Sequence, residues 1–266
     1  MKLYVKATSS YRSDKENIDI KKELKQRYKI DVRRKESFIY AGLLGALRLK
    51  EQHSINKDDE LYLTSGFGNI DILAKANDYI LEKHETIRLF DFINMLGNTT
   101  NFYIAKALDI QGKSIFAISD NFTYFHVLTT IYASLLKNKN KVIFGAIDLA
   151  LGNPEALKRI AGIDEETEVI DSIMYQYLSL DTSDALCELE IDSKFYTQDE
   201  IVSIVEKETR EIVYSKRCDK SSQDKTPYFE THASFVVNEM IEKSQDCLYI
   251  ECYKDRYKVL KITTLR

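Results

Sequence analysis

The segment from Ser114 to Ala146 constrains the fold more than any other part of the chain. A short apolar run, Ser114–Ile118, ends in the polar turn Ser119-Asp120-Asn121 and opens into residues 122–136. There Phe125, Leu128, Ile131, Tyr132, Leu135 and Leu136 leave hardly any polar face. A helix apolar on most sides belongs inside a core. The polar turn Lys137–Asn140 then leads to a second strongly β-forming run, Lys141–Ala146. Strand, helix, strand in this order implies a right-handed parallel crossover. The expectation is an α/β layer with Leu61–Ser65, Ser114–Ile118 and Val142–Ala146 as its central strands.

Upstream, Leu3–Ala7 is a short strand leading into a charged, solvent-facing stretch from Asp14 to Lys35. Glu36–Leu49 carries Ile39, Leu43, Ala46 and Leu47 at helical spacing, and Gly42 and Gly45 on a neighbouring face predict close packing against another backbone. Glu60–Thr64 reads as a buried strand, and Gly66-Phe67-Gly68 opens a helix from about Asp71 to His84. Asn98–Leu108 is a further helix. Beyond Gly152 the pattern changes. Pro154–Thr167 is polar, Ser172–Leu180 a strand, and Leu186–Ile191 alternates as an antiparallel strand does. Asp199–Thr209 is an amphipathic helix, Asp219–Lys225 a polar loop, and Phe235–Ile241 a helix. Cys247–Tyr253 and Tyr257–Thr263 form a closing hairpin. With no linker or repeat, the chain reads as one domain over 1–266, an α/β core at 1–152 completed by a smaller α+β part at 153–266.

Composition excludes several classes. The net charge of -4, with Lys and Arg scattered among Asp and Glu, gives no basic stripe for nucleic acid. No apolar run approaches the ~20 residues that cross a bilayer, and Met1–Ala7 does not read as a leader, so a cytoplasmic location is expected. Cys187, Cys218, Cys247 and Cys252 show no CxxC spacing and read as reduced thiols rather than a disulfide framework or zinc site. No metal or cofactor is expected.

Other signals have plain structural readings. Gly112-Lys113-Ser114 mimics the end of a P-loop, but Ala107 stands where its first glycine belongs, and a strand follows where a helix is required. Gly66 and Gly68 serve a tight strand-to-helix turn before they serve a phosphate. His126 reads as a packed core histidine, and His232, beside Glu230, as part of the cap of the last helix. The acidic run Asp164–Glu168 is a solvated loop, and the tyrosines Tyr249, Tyr253 and Tyr257 are hairpin packing or an interface.

Four pieces in order, Thr64-Ser-Gly-Phe-Gly-Asn69, Gly97-Asn-Thr-Thr-Asn-Phe102, Gly112-Lys-Ser114 before a strand, and Val142-Ile-Phe-Gly-Ala-Ile-Asp148, resemble the N-terminal half of β-ketoacyl synthases. That resemblance implies a thiolase-like, half-ketosynthase fold: a mixed sheet, a buried central helix at 122–136, and a C-terminal helix plus β-hairpin. It puts Asn121, flanked by Asp120 and Phe122, where the family carries its nucleophilic cysteine. A carboxamide cannot form the thiolate that condensation uses. The His-Gly-Thr and Asn-His motifs that supply the family's two catalytic histidines are missing as well. Asp120 and Asn121 also suit a helix N-cap.

The resemblance therefore implies a non-catalytic synthase-like subunit in fatty-acid, polyketide or aryl-polyene-type biosynthesis. It would be a homodimer or a heterodimer with a catalytic ketosynthase, with an acyl carrier protein as a further partner. Ser114, Ile115, Phe116, Ala117 and Ile118 match the strand that pairs across the family's two-fold axis. Phe116, Phe122 and Phe125 are the candidates to line or plug an acyl tunnel, as in a chain-length factor. Two other readings stay open: a small acyl hydrolase or acyltransferase using Ser119 or Thr123, and an unrelated α/β binding protein.

Overall fold

A computed structural model of the chain describes residues 1–119, 121–138, 140–150, 158, 166, 168–215, 218 and 232–265. In chain order its elements are β1 (Lys2–Arg12), α1 (Ile20–Gln26), α2 (Ser37–Gln52), β2 (Glu60–Ser65) and α3 (Ile70–Asn77), which runs into a π-helical turn at Asp78–Glu82. Then come α4 (Leu89–Met95), α5 (Gly97–Leu108), β3 (Ser114–Ile118), α6 (Thr123–Asn138), β4 (Val142–Asp148), β5 (Ser172–Ser179) and β6 (Cys187–Ile191). The last are α7 (Gln198–Val205), β7 (Glu211–Tyr214), α8 (His232–Lys243), β8 (Cys247–Tyr253) and β9 (Arg256–Thr264).

All nine strands of the described residues join one sheet in the order β3-β2-β4-β5-β1-β6-β9-β8-β7. β2 is parallel to both β3 and β4, and β7 to β8, while every other neighbour is antiparallel. β1 is the joint. It pairs with β5 over Tyr4–Arg12 and with β6 over Lys2–Val5, and its register slips between Val5 and Ala7. A bulge bends its strand, and here the sheet divides into two arms.

The arms face each other across two helices. One core joins Val5, Phe144 and Met174 from the first arm, Leu189, Tyr249 and Ile262 from the second, Phe125 and Leu128 from α6, and Val236 and Val237 from α8. A second core packs α2 and α5 on the outer face of the first arm. A small third one puts Ile201 of α7 against Leu248 and Ile250. The layers run helix, sheet, helix, sheet, helix. β2 and β4 are buried at every position, as strands covered on both faces must be. A buried polar chain ties the middle layer to the sheet: Tyr124 Oη donates to Gln176 Oε1 (2.6 Å), Gln176 Nε2 to Asn238 Oδ1 (2.9 Å), and Asn238 Nδ2 to Ser9 O (3.2 Å).

Several expectations need correction. Ser114–Ile118 is an edge strand, because α6 carries the chain past β2 before β4 pairs on its far side. The first strand runs to Arg12, since Ser9 and Tyr11 turn inward while polar neighbours alternate outward. α6 is buried on most sides but exposes His126, Thr130, Ala133 and Lys137 as a stripe, and Leu136 is 58% exposed. His126 is therefore not a core histidine. His232 lies buried within the first turn of α8, which begins earlier than its apolar spacing indicates. α4 and β7 were not legible in the sequence. Pro154–Thr167, apart from single residues, and Asp219–Lys225 lie outside the described residues.

The glycines of α2 meet side chains rather than backbone. A Cβ on Gly45 would come within 2.5 Å of Tyr175 Cε2 and 2.7 Å of Ile173 Cγ2. Tyr175 cannot give way, because it is fully buried and its hydroxyl donates to Gly42 O at 2.9 Å. In an open helix, Gly45→Ala would gain about 1 kcal/mol of helix propensity. Overpacking here costs about 1–3 kcal/mol. A net loss of about 1 kcal/mol is expected in urea unfolding; a gain would show that α2 does not rest on β5.

Candidate functional site

The turn between β3 and α6 is held by its own side chains. Ser119 Oγ donates to Asn121 O (2.8 Å), and Thr123 Oγ1 donates to Ser119 O (2.6 Å). The helical ladder starts with His126 N–H on Phe122 O at 3.0 Å, so Phe122, not Asn121, flanks the helix. Asp120 lies outside the described residues. Phe122 has a left-handed backbone, φ +49°, which costs a bulky residue about 1–2 kcal/mol. Its ring offsets that cost: it is 2% exposed and packs edge-on to Phe195 (5.3 Å between centroids) and His126 (6.4 Å).

The N–H of Phe122 donates to Glu251 Oε1 at 2.8 Å. A carboxylate from β8, in the second arm, thus lies against the positive end of α6, where the helix dipole favours negative charge. Across the β8–β9 pair, Glu251 faces Lys258. Lys258 is buried, donates to Ser193 O (2.6 Å) and Asp192 O (3.3 Å), and lies 4.4 Å over the Phe195 ring. Burial pushes the Lys258 pKa down, with Asp192 opposing. His126 is also held below its usual value, first by partial burial and then by the Lys258 charge. Behind the turn, Phe125 stacks on Tyr249 (6.4 Å), and Tyr249 meets His232 edge-on (5.7 Å).

The Gly66–Gly68 turn commits both glycine N–H groups to the protein itself. Asp148 Oδ1 accepts from Ser65 Oγ (3.0 Å) and Gly66 N–H (2.9 Å), while Gly68 N–H donates to Ser65 Oγ (2.8 Å). Gly68 needs its freedom, at φ +61°. The acidic end of Val142–Asp148 is therefore the anchor of the glycine turn. Asn101, in the Gly97–Phe102 motif, anchors in the same way. Its Nδ2 donates to Ser114 Oγ (3.0 Å) and Ile115 O (2.9 Å), pinning α5 to β3.

Of the residues singled out from the sequence, Phe122 and Phe125 share the inter-arm core. Phe116 does not join them. Its ring faces the other side of the sheet, edge-on to Phe38 at 5.9 Å. Among the described strands Ser114 to Ile118 pair with β2 alone, and Ile118 is 54% exposed. Glu251, Lys258 and Phe195 were missed. The hairpin reading does set Glu251 opposite Lys258, but no local signal carries either across to α6.

Among the described residues, no histidine hydrogen-bonds to Ser119 or Thr123, whose hydroxyls donate to main-chain carbonyls. All four cysteines belong to the second arm and are buried. Burial raises the pKa of Cys187, and that of Cys247 to about 12. No group of three or more His, Cys, Asp or Glu side chains among the described residues is arranged to hold a metal ion, and no described helix is long and apolar enough to cross a membrane.

No family model matches the sequence, and no curated protein does. Solved structures do match. The chain is similar to the ishigamide ketosynthase/chain length factor, with a TM-score of 0.77 and 8% identity over 100% of both chains. It is also similar to AntDE:AntF, a type II PKS acyl-carrier protein in complex with its ketosynthase bound to the hexaketide, with a TM-score of 0.67 and 10% identity over 99% of each chain. A third match is the ketosynthase ApeO in complex with its chain length factor ApeC from Xenorhabdus doucetiae (TM-score 0.58, 13% identity, 86% of this chain and 79% of that one). At such identities the likeness speaks to fold. The fold is the thiolase-like one of ketosynthases and chain length factors.

Two measurements probe this site. Because His126 resists protonation in the folded state, its NMR titration midpoint should lie below 6.5, and Lys258→Met should move it upward. The unfolded chain takes up that proton as pH falls through 6.5, so His126 removes stability on the acid side. A midpoint indifferent to Lys258 would contradict the arrangement. Glu251→Ala should cost about 2 kcal/mol and speed hydrogen exchange at the Phe122 amide, since a charge-assisted bond is lost. An unchanged exchange rate would mean that the carboxylate does not hold this turn.

Proposed function

We propose that this chain is a non-catalytic ketosynthase-like subunit that pairs, with itself or with a catalytic ketosynthase, in fatty-acid, polyketide or aryl-polyene-type biosynthesis. One observation carries the reading. At the head of α6, where the fold's chemistry calls for a nucleophile and an open pair of donors, the chain has an amide side chain and a backbone N–H committed to its own Glu251. An oxyanion would compete with a resident carboxylate for that N–H. The hydrolase reading loses support from the same turn, because the Ser119 and Thr123 hydroxyls donate to main-chain carbonyls and meet no base among the described residues. Asn121 is read as a vestige of the nucleophile position.

Pairing is supported by the edge. Ser114–Ile118 contains no charged residue, although sheet edges are commonly guarded by charge, and exposed Ile118, Phe102 (61%) and Leu96 (48%) accompany it. Antiparallel pairing centred on Phe116 would set Ser114 opposite Ile118 and Ile115 opposite Ala117, small against large. The structural relatives include a ketosynthase in complex with its chain length factor and another in complex with an acyl-carrier protein, which makes both kinds of partner reasonable for this chain. In such a pair, Phe122 and Phe125 would shape the acyl tunnel, and Phe116, on the other side of the sheet, would support the interface.

Size-exclusion chromatography with light scattering, alone and after co-expression with a ketosynthase, tests this. A dimer or a co-purifying pair is expected, and Ile118→Asp should weaken it at least about tenfold, or 1.4 kcal/mol. A protein that stays monomeric and ignores ketosynthases would sink the proposal.

A further inference from the structure

Two sulfurs in the second arm play no part in the turn or the edge. Cys218 follows β7, and Cys252 lies in β8. β7 and β8 run parallel with Tyr214 opposite Ile250, and Ser215 N–H extends that ladder to Ile250 O at 2.8 Å. The chain then turns back, Cys218 N–H donating to Ser215 O at 3.0 Å. This brings Cys218 Sγ over β8, 3.7 Å from Ile250 O and 3.4 Å from Ser215 Oγ. Cys252 is two residues beyond Ile250, so its side chain emerges on the same face of the strand. Cys252 is thus the next side chain on the face of β8 over which Cys218 Sγ lies. The two cysteines are 5% and 6% exposed.

The surroundings set this thiol apart from the others. The Cys252 thiol, then the Ser215 hydroxyl and nearby N–H groups, lower the Cys218 pKa against the opposing effect of burial. Cys187 and Cys247 are buried without such donors, and their pKa values rise. A thiolate, not a thiol, attacks oxidants.

We propose that Cys218 and Cys252 are a redox pair, in which a peroxide oxidises Cys218 and Cys252 closes the intramolecular disulfide. The Cys218 thiolate attacks one peroxide oxygen, the O–O bond breaks, and water leaves after taking up a proton, giving a sulfenic acid. The Cys252 sulfur then attacks Cys218 Sγ. The S–O bond breaks, and the departing hydroxide takes the Cys252 proton as a second water. Two thiols lose two electrons, and the peroxide is reduced to two waters. The link would fasten the end of β7 to β8 and close the loop that carries α8. It stands apart from the ketosynthase-like reading and survives its failure.

Stoichiometric hydrogen peroxide is added to the folded wild-type protein, followed by alkylation and non-reducing peptide mapping. A Cys218–Cys252 cross-linked peptide is expected in most molecules, reversed by dithiothreitol, with Cys187 and Cys247 alkylated only after unfolding. In Cys252→Ser, Cys218 should stop at the sulfenic acid and be trapped by dimedone. No cross-link in the wild type, oxidation at Cys187 or Cys247 instead, or Cys218 passing to sulfinic acid beside an intact Cys252 would overturn the proposal. Should Cys252→Ser fail to fold, the wild-type map decides alone.

Discussion

The structure depends on the need to bury α6 from two opposite directions. Tyr124 faces Phe144 and Gln176 of the first arm, while Phe125 stacks on Tyr249 of the second. Burying one such aromatic contributes about 1.5–3 kcal/mol, and a single sheet covers only one side of a helix. The second arm is therefore not an appendage. β1 makes it possible by pairing with β5 over most of its length and with β6 at its start, bending at the slip between Val5 and Ala7. Once the arms close on α6, a residue of β8 can reach the head of that helix.

The same dependence on two arms divides what the sequence could reveal from what it could not. The strand–helix–strand core was legible because its apolar runs are long and α6 lacks a wide polar face. The closing hairpin was legible from alternation around Lys254–Asp255. The edge position of β3 was not, because Ile115, Phe116 and Ala117 look as apolar as a central strand; only the crossover past β2 decides the order. His126 misled because an exposed stripe of Thr130 and Ala133 looks apolar in sequence. The turn's carboxylate was hidden for a different reason. Glu251 and Phe122 are joined by tertiary folding alone, across 129 positions.

The turn links fold to proposed function through one exchange of chemistry. In a condensing enzyme the head of the buried helix stabilises a charge that appears during the reaction. Here a carboxyl group of the protein itself already takes the Phe122 N–H. Left-handed Phe122, Glu251 and the two inward-donating hydroxyls make a closed, self-satisfied turn, one that suits holding a shape rather than turning over substrate. An uncharged strand edge beside exposed Phe102 and Ile118 suits holding a partner.

The proposed function rests most directly on reading Asn121 as standing in the place of a nucleophile. The purified protein, incubated alone with an acyl-carrier-protein thioester and followed by intact-mass spectrometry, is expected to keep its mass while the thioester stays whole. A stable acyl adduct, mapped to Ser119, Thr123 or a cysteine, would contradict it.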